Sequence, residues 1–157
     1  MANPFQRSRW FHRIGHVTNT VPLSLMTPAG IAIVTTTGRK SGKRRARAMR
    51  AVRDGDRVYA VALLGPSSDW IANIRANPEV TVKLGRTTQR AKARLITDDA
   101  ERERAAAAYH PIAGWYDYFD YANFMWSLPS KANVLRAHDT WFGEGTPVVF
   151  ELQGGAA

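Results

Sequence analysis

The 157-residue sequence predicts a mainly β, α+β protein: a small, largely antiparallel β-barrel with flanking helices. Three observations lead there. About six short β-branched or alternating runs are present. Two pairs of these runs are joined by hairpin signals, "DGD" at 54–56 and "GRTT" at 85–88. The helical segments are too few and too irregularly placed to cover a doubly wound sheet. Neither an internal repeat nor a linker interrupts the chain, so residues 1–157 are expected to form one domain.

The elements follow in order. Residues 4–20 read as a helix, with Trp10, Phe11, Ile14 and Val17 at a spacing near 3.6 and Arg7, Arg9 and Arg13 making it basic. "GIAIVTTT" (30–37) is a short β-branched strand. "GRKSG" is a turn, and "KRRARAMRAVR" returns as a strand in which Arg45 and Arg47 alternate with Ala46 and Ala48, placing the two sets on opposite faces. "RVYAVALL" (57–64) follows the DGD hairpin. Ser67 or Ser68 can cap a short helix carrying Trp70, Ile71 and Ile74, which Pro78 ends. "VTVKLG" (80–85) and "QRAKARLIT" (89–97) form the second hairpin. In "TDDAERERAAAAYH" (97–110), Asp98 and Glu101 have capping-box spacing, and the acidic start suits the helix dipole. "GWYDYFDYANFMW" (114–126) is dense in aromatics and has no clear period. "TPVVFELQ" (146–153) is a last strand, and "GGAA" a frayed end.

The formal net charge of +9 favours an anionic partner. Absence of cysteine removes disulfides, thiolate metal sites and thiol nucleophiles. The basic N-terminus lacks a continuous apolar run, so it does not read as a signal peptide, and no segment approaches the roughly 20 apolar residues of a spanning helix. A cytoplasmic protein is expected. Residues 4–20 could also lie on acidic lipid, because basic residues flank their apolar face.

Seven Arg and Lys residues fall within "TTTGRKSGKRRARAMR" (35–50). Only three residues separate its two glycines, and Arg44 stands where a P-loop needs Ser or Thr for magnesium. No GxGxxG is present. What remains is an anion cradle: a tight turn exposes backbone N–H groups, with Arg39 and Lys40 beside them. His12 and His16 have i, i+4 spacing but no third ligand, so no metal is expected. His110 and His138 are isolated, and no Gly-x-Ser-x-Gly elbow occurs. With no side-chain catalysts in view, a cofactor is expected to carry any reaction. Trp115, Tyr116, Tyr118, Phe119, Tyr121, Phe124 and Trp126 could line a flat-ring site or fill a core.

"TTTGRKSGKRR", then "RDGDRVYAVA", then "DWIANIRANPEVTV" resembles, in order and spacing, the deazaflavin-dependent nitroreductase family. Its members are split β-barrel reductases of the flavin-reductase and pyridoxamine-phosphate-oxidase type, and they use coenzyme F420. The resemblance covers residues 30–97 as the cofactor-binding barrel core; "PVVFEL" fits too, while 98–145 match only in character, as a helical, aromatic substrate-side segment. It implies that Arg39, Lys40, Ser41 and Arg45 hold the phosphate and oligoglutamate tail of F420. It further implies that Ala46, Arg47, Ala48 and Met49 run beside the deazaflavin ring and that Ala62, Leu63 and Leu64 face it. Trp70, Ile71 and Asn73 would close the pocket. Tyr116 or Tyr118 would be the substrate-side tyrosine, and a Tyr or water would supply the proton.

Arg47 departs from the family pattern, where Asn-Pro or Thr-Pro often follows the preceding Arg; the family's Lys-Gly after the third strand is "LLG" here. The implied reaction is hydride transfer from reduced F420 to a small molecule: a quinone, activated alkene or nitroaromatic. An FMN-binding split-barrel oxidoreductase would use the same kind of cradle. A basic nucleic-acid-binding barrel is disfavoured, because the aromatics lie some seventy positions from the basic turn. Monomer and homodimer are both open.

Overall fold

In the computed structural model, the described residues are Leu25 and 27–154. The helix expected over 4–20, with His12 and His16, lies outside them, as do the last three residues of the expected frayed end. Six strands are present: β1 (Ile31–Thr37), β2 (Arg44–Asp54), β3 (Arg57–Ala62), β4 (Glu79–Leu84), β5 (Thr87–Leu95) and β6 (Thr146–Gln153). Helix α1 (Asp69–Ala76) follows a 3-10 turn at Gly65–Ser67. The other helices are α2 (Asp99–Tyr109), α3 (Trp115–Met125) and α4 (Lys131–Glu144). The strands close in the order β1-β2-β3-β6-β5-β4, every pair antiparallel. Closure removes the exposed sheet edges that would otherwise recruit another chain. This is the barrel with flanking helices that the hairpins predict.

Small side chains make so narrow a barrel possible. Ala32, Ala51, Ala60, Ala62, Ala91 and Ala93 all face its core. The larger volumes come from Val34, Val82 and Phe150, and from α1, whose Trp70, Ile71 and Ile74 are buried in the same cluster. The Trp70 and Phe150 rings stack at 6.3 Å. Burying each such side chain is worth about 1.5–3 kcal/mol, so α1 is held as a plug in the barrel rather than as a surface helix. Asn77 caps it, one residue before the expected stop at Pro78. Ser68 is the N-cap residue, but its side chain makes no capping bond; Ser67 instead donates to the Leu64 carbonyl at 3.1 Å.

Outside the barrel, α2 and α4 bring Tyr109 and Phe142 against Tyr59 and Val149. Asp98 accepts from the Glu101 amide at 2.8 Å, as the capping-box spacing predicts. The Glu101 carboxylate does not reach back; it takes two bonds from Arg94, at 2.7 and 2.8 Å. These bonds lower the Glu101 pKa and raise that of Arg94. The aromatic run resolves into α3, which packs Tyr121 against Val134 and Trp141 of α4.

Candidate cofactor site

The turn between β1 and β2 is built around two glycines. Gly38 donates to the Lys43 carbonyl, and Gly42 to the Gly38 carbonyl, both at 2.8 Å. A Cβ on Gly38 would sit 2.9 Å from Ser41 Oγ and 3.2 Å from the Lys43 carbonyl. Gly42 has φ +65°, a conformation that L side chains rarely adopt. The Lys43 amide donates to Ser41 Oγ at 3.3 Å, and the Arg39 amide to Asn73 Oδ1 at 3.2 Å. That accounting leaves the amides of Lys40 and Ser41 without a protein acceptor among the described residues.

Arg39 is a brace. Its guanidinium donates to the Asp69 carboxylate (3.1 Å), the Asp69 carbonyl (3.3 Å) and Asn73 Oδ1 (3.2 Å). Buried Asn73 donates in turn to Thr36 Oγ1 at 3.2 Å. One helix therefore fixes both the end of β1 and the turn. Arg44 donates to Thr81 Oγ1. The exposed side chains of Lys40, Lys43 and Arg45 have no protein acceptor among the described residues, and so present open charge beside the open amides. Lys43 is the member that sequence reasoning did not single out.

Arg47 pairs with Val34, so both point to the barrel side of the sheet. Burial lowers its pKa to about 10, opposed by the Asp69 carboxylate. A half-buried cation of this kind favours an anion nearby. Met49 is on the same face and packs on the barrel core. Ala46 and Ala48 turn the other way, opposite Thr35 and Ile33. Ala62, Trp70 and Ile71 are core residues, with at most 6 % exposure. Their side chains fill the barrel, so any part they play at a ligand falls to their backbone or to the shape they impose.

The structure does not bring the two tyrosines to the turn. Helix α3 docks where Asp117 meets Arg50, six residues along β2 from Arg44, or about 20 Å at strand rise. Arg50 also donates to the Tyr109 and Pro111 carbonyls, at 2.7 and 2.8 Å, and lies over the Tyr109 ring. The Asp117 carboxylate accepts from the Ala113 amide at 2.6 Å. His138 Nδ1 is 2.8 Å from the His110 carbonyl, so that nitrogen carries a proton and donates. Burial and the Arg50 charge lower the His138 pKa. This joint escaped the sequence reading. Its signals were an Arg within the apolar half of β2 and an Asp inside an aromatic run.

Tyr118 packs in one cluster with Leu64, Leu63, Tyr121 and Trp141. Tyr116 is buried beside Trp115 and Phe119. Burial pushes the Tyr116 phenol up to about 12, with the Asp120 charge adding to the shift. Asp120 itself is pushed up to about 7 by burial, against the pull of Arg50. No group of acidic or His side chains able to hold a metal occurs among the described residues. Nor is any helix among them long and apolar enough to cross a membrane.

A closed six-stranded antiparallel barrel with an exposed basic turn between β1 and β2 defines the frame of the site. The family model described as F420H(2)-dependent quinone reductase matches residues 7–126. The chain belongs to that family and is an F420-dependent oxidoreductase. Its fold is similar to that of a solved F420-H2 dependent reductase (FDR-A): 24 % identity, TM-score 0.51, covering 80 % of this chain and 97 % of that one. A second structure, described as a domain-swapped dimer, matches at 23 % identity and TM-score 0.52, covering 90 % and 93 %. A conserved hypothetical protein from Mycobacterium tuberculosis matches at 12 % identity and TM-score 0.52, covering 98 % and 85 %.

Proposed function

We propose that this oxidoreductase reduces quinone-type acceptors, with activated alkenes and nitroaromatics as further electrophiles of the same class. One observation carries the site assignment: the open amides of Lys40 and Ser41 lie in a turn flanked by Lys40, Lys43 and Arg45, whose charges meet no acceptor among the described residues. That donor set fits a phosphodiester and a run of carboxylates better than a neutral ligand. Reduced F420, when bound, supplies a hydride from its deazaflavin ring.

Everything else falls to the chain's own residues. Lys40, Ser41, Lys43 and Arg45 bind the anionic tail, and Arg47 adds charge at the barrel end. Arg39 and Asn73 hold the turn in shape. The backbone of Ala46 to Met49 and the segment Ala62 to Leu64 flank the ring, while the packed side chains of Trp70 and Ile71 keep water from the barrel end. Tyr116 keeps its proton at neutral pH, because burial disfavours its phenolate, and so serves as a hydrogen-bond donor toward the acceptor. Tyr118, against Leu64, is the second candidate for that role.

The basic, apolar sequence of residues 4–20 supports peripheral contact with the inner face of the cell membrane, where lipophilic quinones reside. A cytoplasmic location accords with this. The domain-swapped relative supports a homodimer over a monomer.

The test is oxidation of reduced F420 by a water-soluble quinone and by a nitroaromatic, in wild type and Tyr116→Phe. A higher kcat/KM for the quinone, and a loss of about 10²-fold or more in the variant, are expected. Failure of every quinone to oxidise the cofactor would overturn the substrate assignment.

A further inference from the structure

Helix α3 buries aromatic side chains and also exposes several. Its inner face buries Tyr116 and Tyr121. Its outer face carries Trp115 (66 % exposed), Phe119 (50 %) and Trp126 (89 %), at spacings of four and seven, with Met125 beside them and Leu128 (89 %) just beyond. So many large apolar side chains gathered on one exposed face mark an interaction surface. Trp126 ends the helix in the left-handed conformation, φ 51°, with its amide bonded to the Ala122 carbonyl. This is a position that Gly or Asn usually fills, and among the described residues Trp126 alone is a non-glycine with positive φ. Such strain at a fully exposed indole points to use rather than packing.

Charge around the patch selects the occupant. Lys131 is exposed at the first position of α4, three residues beyond Leu128, and no Asp or Glu lies between Asp120 and Lys131. A second copy, itself carrying a formal +9, would bring like charge to the same face. An anionic bilayer surface would bring opposite charge, and its interface favours Trp with neighbouring Leu and Met. Trp126 and Leu128 also line an open hollow with Ala122, Asn123 and Ser127.

We propose that the α3–α4 elbow, centred on Trp126 and Leu128, docks on anionic lipid bilayers through these side chains, with Lys131 against the headgroups. This contact is independent of residues 4–20 and of which acceptor is reduced.

The test is flotation of the full-length chain with phosphatidylcholine vesicles, with and without phosphatidylglycerol. Wild type is compared with Trp126→Ser/Leu128→Ser and with Trp10→Ser/Phe11→Ser. Both elbow side chains are exposed, so the fold does not depend on them. Wild type should float with phosphatidylglycerol vesicles, its indole emission shifting to the blue, and the elbow variant should lose roughly tenfold or more of the bound fraction. The proposal is overturned if wild type does not float. It is equally overturned if the elbow variant floats like wild type while the N-terminal variant does not, or if the elbow substitutions turn a dimer into a monomer without changing flotation.

Discussion

Arg50 of β2 and Asp117 of α3, 67 positions apart, form an ion pair from which water is almost wholly excluded, their side chains being 4 % and 2 % exposed. It fastens the helical cap, which carries both candidate tyrosines, to the strand that begins at the basic turn. Removing one partner leaves a buried, uncompensated charge. Asp117→Ala should therefore lower unfolding free energy by about 3–5 kcal/mol, whereas Arg50→Met/Asp117→Leu should recover most of the loss. Urea denaturation measures both. A single variant within about 0.5 kcal/mol of wild type would show that the joint holds nothing together.

Asn73 and the open cations have different tasks, and variants separate them. Asn73→Ala removes the partner of the Arg39 amide, the Arg39 guanidinium and Thr36. It should cost about 1–3 kcal/mol of stability and weaken F420 binding through a loosened turn. Lys43→Ala/Arg45→Ala should leave stability within about 0.5 kcal/mol, weaken F420 binding, and flatten its dependence on salt. Equal behaviour of the two variants in both assays would contradict the distinction.

Asp120 gives a pH dependence whose sign is fixed. Its folded pKa of about 7 stands above the unfolded value of roughly 4, so the folded chain keeps this proton after the unfolded chain has released it. The stability it contributes is complete below about pH 4 and is lost as the pH rises through about 7. Arg50 from β2 opposes the shift and Asp117 on its own helix reinforces it. Asp120→Asn keeps the neutral state at every pH. Its melting temperature should exceed that of wild type near pH 8 and converge with it toward about pH 4. A gap of constant size across that range would contradict the assignment.

Gly42 tests the turn itself. At φ +65°, with open space around it, an added methyl meets no neighbour and only the backbone conformation is penalised. Gly42→Ala should cost about 1–2 kcal/mol in thermal or urea unfolding. A neutral or stabilising effect would mean the turn adopts another conformation.

The barrel was legible because its signals are local. Gly55 and Gly85, at φ +63° and +57°, sit where the two hairpin signals fell, and strand parity alone put Arg45 and Arg47 on the face opposite Ala46 and Ala48. The tight turn at 38–42 was legible for the same reason. Partnerships across the fold were not. Nothing near Arg39 in sequence announces that Asp69 and Asn73, 30 and 34 positions away, will take its hydrogen bonds. In the structure Arg39 braces the turn against α1, beside the open charge of Lys40, Lys43 and Arg45. Likewise, Trp70 and Ile71 match a pocket-closing pattern in sequence, yet only the packed barrel shows that their side chains fill its interior. His138 read as isolated because the carbonyl of His110 and the guanidinium of Arg50 reach it from 28 and 88 positions away.

The central claim is that the turn at 38–43 holds the anionic tail of F420. Equilibrium titration of wild type and Lys43→Ala/Arg45→Ala with oxidised F420, and separately with FMN, tests it most directly. The account predicts that wild type binds F420 in preference to FMN, and that the double variant binds F420 at least about tenfold more weakly, as loss of two charge-assisted contacts requires. Unchanged F420 affinity in the variant, or a wild-type preference for FMN, would contradict it.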